Sequence, residues 1–203
     1  MRRRRPPQNP VPIPFAALAA SLAMAGALSG CVPAPLERAT SATPLAPAQR
    51  AFGASGRLSA RHGSEAFAAN FQWHHDDERD ELELVSPLGQ TVALLTGNGA
   101  TVRLQAADGR VLTAASWSRL TEEGLGWPLP VEGLKYWIQG TARAGEAFTA
   151  EPGSDGRPAV LRQDGWTIVY QAYAETTSGV WRPSRLTASY PEVELRLAID
   201  RWQ

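Results

Sequence analysis

Cysteine occurs once in these 203 residues, at Cys31, so neither an intrachain disulfide nor a thiolate metal cluster can form. Histidine occurs three times and only His74 and His75 are neighbours, which leaves little for a metal centre. The phosphate-cradling G-x-x-x-x-G-K-[ST] loop is missing, as are the G-x-S-x-G nucleophile elbow and the H-E-x-x-H metalloprotease signature. No acidic residue precedes Glu37, whereas Arg2, Arg3, Arg4 and Arg5 open the chain. The overall balance of 20 basic against 20 acidic residues therefore hides an asymmetry. From Cys31 onward 16 basic residues face 20 acidic ones, a net charge of −4. A mildly acidic body lacks the basic face of a nucleic-acid binder.

The first thirty residues read as an address. Behind the arginines, residues 15–28 (FAALAASLAMAGAL) form an uncharged run too short for a comfortable bilayer span but suited to a signal-peptide core. Leu28-Ser29-Gly30-Cys31 follows, with small residues that can enter a peptidase site in extended form and a thiol available for acylation. This pattern matches the bacterial lipobox and makes Cys31 the expected lipidation site and first residue of the mature chain. Several acyl chains on one cysteine anchor stably where a single chain is marginal. Val32 follows where an aspartate would favour inner-membrane retention, so the expected location is the periplasmic face of the outer membrane. Residues 31–52 then form a tether rich in Pro, Ala, Ser and Thr, in which a short helix around 47–52 is only weakly signalled.

From residue 53 to 203 the body reads as one domain of hairpins. Phe67, Ala69, Phe71 and Trp73 fall on one strand face; Leu82 and Leu84 alternate with Glu81 and Glu83; Val193, Leu195, Leu197 and Ile199 repeat the pattern near the end. Asn98-Gly99, Asp108-Gly109, Asp155-Gly156 and Asp164-Gly165 supply turns that need positive φ. The segment TVALL at 91–95 is apolar on both phases, which leaves its inward face open. Residues 114–125 and 131–138 instead carry helical spacing, separated by Pro128 and Pro130, with Gly140 placed to cap the second helix. Two short helices inserted in a meander cannot extend its sheet. They are expected across the concave face as a lid, an α+β layout.

The string His74-His75-Asp76-Asp77-Glu78 reads as a solvated hairpin loop, because adjacent histidines on a strand end point to opposite faces. Gly97-Asn98-Gly99 precedes a strand, so it is a turn and not a dinucleotide loop. The acid pairs Glu122/Glu123 and Glu81/Glu83 cannot be told from surface charge. Neither a metal nor a cofactor is expected, and an enzyme is disfavoured. Seven Trp, five Phe and four Tyr remain, and composition alone leaves them divided between core and ligand pocket.

Specific strings in order decide more. They are Ser86-Pro87-Leu88-Gly89 between two strands; Trp127-Pro128-Leu129-Pro130 with Leu134, Trp137 and Gly140; Trp166-Thr167-Ile168-Val169-Tyr170 with Tyr173; and the closing LRLAIDRW. Behind a lipobox and over residues 56–203, this set resembles the LolB family of outer-membrane lipoprotein receptors. The tether lacks the clear amphipathic first helix of that family, and 150–158 (AEPGSDGRP) is a loop of its own. The resemblance implies a curved antiparallel half-barrel, of the kind shared with the carrier LolA, whose helical lid covers a hydrophobic cavity. It also implies acylated lipoproteins accepted from the periplasmic carrier LolA and delivered to outer-membrane phospholipid, by a monomer. On that footing Phe71, Trp73, Leu82, Leu84, Trp137, Ile168 and Tyr170 are expected to line the acyl-chain cavity. Leu88, in a Pro-Leu-Gly turn, is expected to be a membrane-inserting tip. The competing reading is a structural or assembly lipoprotein with a filled core and no lipid ligand. A lipoprotein hydrolase, lacking any nucleophile–base spacing, comes third.

Overall fold

The computed structural model describes residues 45–77, 79–125 and 129–203. The chain divides after Ala39 into two units, and all that follows concerns the second. Cys31, the signal segment, the tether up to residue 44 and the Trp127-Pro128 pair lie outside the described residues.

The alternating segments fold into eleven strands: β1 Phe52–His62, β2 Glu65–His75, β3 Asp80–Val85, β4 Thr91–Gly97, β5 Val102–Ala106, β6 Val111–Ala114, β7 Phe148–Pro152, β8 Pro158–Gln163, β9 Trp166–Glu175, β10 Trp181–Tyr190 and β11 Val193–Trp202. They form a single antiparallel sheet in the order β6-β5-β4-β3-β2-β1-β11-β10-β9-β8-β7. It is thus two meanders, β1–β6 and β7–β11, joined where the first strand pairs with the last, Leu58 opposite Leu197. The sheet does not close, and β6 and β7 are its edges. Register shifts at Ser55/Gly56, Leu84/Val85 and Pro183/Arg185 mark irregularities of the kind that bend and twist a sheet. Pro183, buried in β10, sits at one of them, where a strand tolerates the missing N–H.

Between the two edges runs the helical insert, α1 Trp117–Leu125 and α2 Val131–Trp137. Its residues Trp117, Leu120, Val131, Leu134, Trp137 and Ile138 join one apolar core with the inward phase of the strands. The core therefore lies between the concave sheet face and the lid. α1 packs on β5 and β6, its Trp117 ring lying against Gly97 at the end of β4. α2 ends in a left-handed Gly140 (φ +80°), with Thr141 N–H donating to the Tyr136 carbonyl as in a Schellman cap. TVALL turns Ala93 and Leu95 inward.

Two expectations need correction. Residues 47–51 are not helical: the segment has no regular structure and bends at Arg50 and Ala51 before β1, with Leu45 packed against the core and Gln49 N–H donating to Gln139 Oε1 at 2.8 Å. The histidine loop is also shorter than the sequence suggests. His75 still belongs to β2 and Asp80 to β3, on the inward phase, because the period of two set by Phe71 and Trp73 continues through His75. His75 Nδ1 lies 2.8 Å from Asp80 Oδ1, and Trp73 Nε1–H donates to the same oxygen at 3.1 Å. Asp76, Asp77 and Arg79 are exposed as expected of a solvated turn, with His74 on the outer face, but His75 and Asp80 at its base form a largely buried polar knot.

Candidate functional site

The lid is one braced piece. Glu132 of α2 reaches the start of α1, where its Oε1 accepts the Trp117 N–H at 2.8 Å and the Ser118 N–H at 3.4 Å. A carboxylate there satisfies orphan donors and suits the positive end of the helix. Thr121 is fully buried; its hydroxyl donates to the Trp117 carbonyl (2.9 Å) and accepts the Leu129 N–H (2.7 Å).

The lid is pinned to the sheet mainly through α2. Trp137 Nε1–H donates to Gln163 Oε1 of β8 at 2.9 Å, and the Arg143 N–H donates to the same oxygen at 2.8 Å. The Tyr170 hydroxyl of β9 donates to the Trp137 carbonyl at 2.9 Å. Burial, and secondarily Tyr173, pushes the Tyr170 hydroxyl well above its ordinary range, so it stays a neutral donor. Tyr173 is raised too, first by burial and then by Asp155, and donates to the Pro158 carbonyl at 2.7 Å. Arg182 of β10 donates to the Gln139 carbonyl just past α2; burial lowers its guanidinium from the ordinary value without discharging it near neutrality.

Where the lid meets one end of the sheet, a hollow of about 850 Å³ opens to solvent. Leu129, Gly133 and Trp137 line it from the lid, with Trp166, Tyr190 and Val193 from the strand ends. Three rings form a ladder from core to surface: Trp137 and Trp166 at 5.9 Å, then Trp166 stacked on Tyr190 at 5.3 Å. Trp137 is 1% exposed and Tyr190 45%. Polar groups stand at the rim: Glu122, Glu132, and Arg143, which pairs with Asp164 at 2.9 Å. The volume falls within the range of ligand pockets, about 300–1,000 Å³.

Of the seven residues expected to line a cavity, all are buried in the one core on the concave side. Trp137 alone among them lines this hollow. Phe71, Leu82, Leu84, Ile168 and Tyr170 lie within the core, and Trp73 sits at the opposite end of the sheet, tied to Asp80. Sequence reasoning missed Tyr190, Val193 and Gly133. Tyr190 continues the inward phase of Leu186 and Ala188, and Val193 opens that of β11; as strand termini they fall at the rim. A Cβ on Gly133 would stand 2.5 Å from Trp137 Cζ2, so this glycine makes room for the ring one turn on. Gly133→Ala should lower stability by about 1–3 kcal/mol through overpacking, against a helix-propensity gain of about 1 kcal/mol. Thermal unfolding checks this, and a stabilised variant would show that the ring does not need the space.

Leu88 is placed apart from the hollow but toward the same end of the sheet. Val85 pairs with Asn70, so the β3–β4 turn runs beside the first half of β2; Glu65, where β2 begins, pairs with His62 at the rim. The turn is tight: Gly89 N–H donates to the Ser86 carbonyl (2.9 Å), Ser86 N–H to the Gln90 carbonyl (2.8 Å), and Gly89 is left-handed (φ +83°). Leu88 is left 89% exposed at its tip.

Among the described residues, no group of three or more His, Cys, Asp or Glu could hold a metal ion, and no helix is long and apolar enough to cross a membrane.

These features define an open antiparallel half-barrel with a braced helical lid, an apolar mouth at one end and a protruding hydrophobic turn elsewhere on the sheet. The chain belongs to the LolB family: the model described as "Outer membrane lipoprotein LolB" matches residues 50–202. An outer-membrane lipoprotein LolB of Thiobacillus denitrificans is 37% identical over 187 residues, covering 92% of this chain and 97% of that one. Its counterpart in Nitrosomonas europaea is 34% identical over 157 residues, covering 77% and 74%. A solved LolA superfamily protein from Nitrosomonas europaea aligns over 80% of this chain and 89% of that one, at 11% identity and a TM-score of 0.48.

Proposed function

We propose that this chain is an outer-membrane lipoprotein receptor, anchored through acylated Cys31 on the periplasmic face, which accepts lipoproteins from the carrier LolA and places them in the membrane. The observation that carries the reading is the aromatic-lined hollow between lid and strand ends, in a molecule that also leaves Leu88 exposed at the tip of a tight turn. Exposing a sixteen-carbon chain to water costs roughly 13 kcal/mol, at about 0.8 kcal/mol per CH₂. A lipoprotein in transit therefore needs an apolar container at each stage. The Trp137–Trp166–Tyr190 ladder offers an entry for the first chain segment. When the lid lifts, Phe71, Leu82, Leu84, Ile168 and Tyr170 become the floor on which the chain lies. Trp73, held by Asp80, closes the far end. No bond is made or broken in this cycle; transfer runs downhill from carrier to receptor to bilayer.

The test is a transfer assay with loaded carrier, together with binding of an apolar fluorescent probe to the mature chain. Probe binding competed by palmitate, and lipoprotein moving from carrier to receptor, are the expected results. A protein that takes up neither probe nor lipoprotein is the structural lipoprotein with a filled core, and the receptor reading is then wrong.

A further inference from the structure

On the outer face of the sheet, away from the lid, lies a second groove of about 680 Å³. Its floor is made of small side chains and its walls of arginine. Ala198 of β11 pairs with Arg57 of β1 on one side and with Arg185 of β10 on the other. Arg196 stands two residues along β11 on the same face, between Ser59 and Thr187. Three guanidinium groups therefore surround one alanine, and no acidic side chain lines the groove. Two carboxylates stand along β11 on either side: Glu194 holds Arg196 at 2.8 Å, and Asp200 lies 3.7 Å from Arg57. Arg185 makes no ion pair among the described residues. Arg57 and Arg196 are each balanced by one carboxylate and Arg185 by none, which leaves the groove with an excess positive charge, and guanidinium forks match phosphate geometry. Pro87 also lines this groove, one residue from the exposed Leu88.

We infer that Arg57, Arg185 and Arg196 form a binding groove for the phosphate of an anionic phospholipid, which seats the outer face of the sheet on the headgroup layer when the Leu88 turn enters the bilayer. The choice of a lipid over any other phosphate rests on the reading of Leu88 as a membrane tip. The arginines then set the depth and orientation of a turn that by itself would be a single hydrophobic point.

The test uses the mature acylated chain in neutral detergent micelles, titrated with dihexanoylphosphatidylglycerol while the arginine Nε–H resonances are followed by NMR. Dihexanoylphosphatidylcholine and inorganic phosphate are run in parallel. The glycerol lipid should shift the three arginine signals, and added salt should weaken the response. Arg185→Gln should weaken binding about fivefold, and the triple change to glutamine on the order of a hundredfold. Arg185→Lys, which keeps the charge but not the fork, should lose less affinity than Arg185→Gln without matching the parent, and these exposed changes should leave the melting temperature unmoved. Leu88→Ser, which adds no charge beside the groove, should not alter the titration, so an error about Leu88 would show in delivery and not in this measurement. An equal response to inorganic phosphate would make the groove a general anion site and overturn the lipid assignment. Arginine signals that stay still, or an Arg185→Gln chain that titrates like its parent, would overturn the groove itself.

Discussion

Leu88→Glu should leave folding and uptake from the carrier unchanged while cutting delivery into vesicles at least tenfold. The side chain is 89% exposed at the tip of a turn, so its removal breaks no packing; a surface change of this kind stays within about 0.5 kcal/mol. Its folded-state cost is the informative part. A leucine that could have been buried forgoes about 1.5–3 kcal/mol of stabilisation. The Ser86–Gly89 hydrogen bond and left-handed Gly89 hold it outward all the same. In a bilayer the balance reverses, because leucine is favourable in hydrocarbon and an ionised carboxylate costs several kcal/mol there. Even a fraction of that difference at the interface exceeds a factor of ten. The measurement is paired: transfer from carrier to receptor, then from receptor to vesicle. Leu88→Phe should retain the second step. A glutamate variant delivering at the parental rate would make Leu88 an ordinary surface residue.

The same turn shows what can be read from sequence and what cannot. Pro87-Leu88-Gly89 is a local signal of a turn, since proline and glycine fix the backbone, but a leucine there can fold back on the sheet edge or stand out, and only the structure shows that it stands out. Strand phase is equally local: alternation alone puts Phe71 with Trp73, Leu82 with Leu84 and Leu195 with Leu197 on one face each, and burial shows those faces to be the inner ones. The 91–95 segment resisted because Val92 and Leu94 are as apolar as Ala93 and Leu95; position in the sheet chose between them. Partnership between distant strands is not local either. Nothing within 52–62 announces that β1 pairs with β11, and that pairing fixes both the mouth and the arginine groove. The His75–Asp80 knot was hidden because polar residues at a strand end look the same whether they face solvent or one another. Tyr190 escaped notice for the opposite reason. It is an inward-phase aromatic that lies at the rim, and only the extent of the lid reveals that.

Trp137 decides whether the lid is a fixed roof or a movable one. Charged substitutions there would test folding and not binding, because the ring is fully buried and its N–H is engaged by Gln163. Two neutral changes separate the contributions. In Trp137→Phe the Gln163 oxygen keeps its other donor, the Arg143 N–H, so no buried acceptor is orphaned and the cost stays near 1 kcal/mol. Trp137→Ala removes the ring as well. It also deprives Trp166 of its inner neighbour, and should cost about 3–5 kcal/mol. For a domain of this size that lowers the melting temperature by about 6–20 °C. The void so made adjoins an open hollow, so an acyl chain can fill it. Palmitate should therefore restore more stability to Trp137→Ala than it adds to the parent, since a ligand of the folded state stabilises in proportion to its affinity. Thermal melts of both chains, with and without palmitate, give the answer. If alanine costs less than about 1 kcal/mol, the indole is not what pins the lid. If it costs the full amount and palmitate restores nothing, the hollow beside Trp137 is not where acyl chains enter.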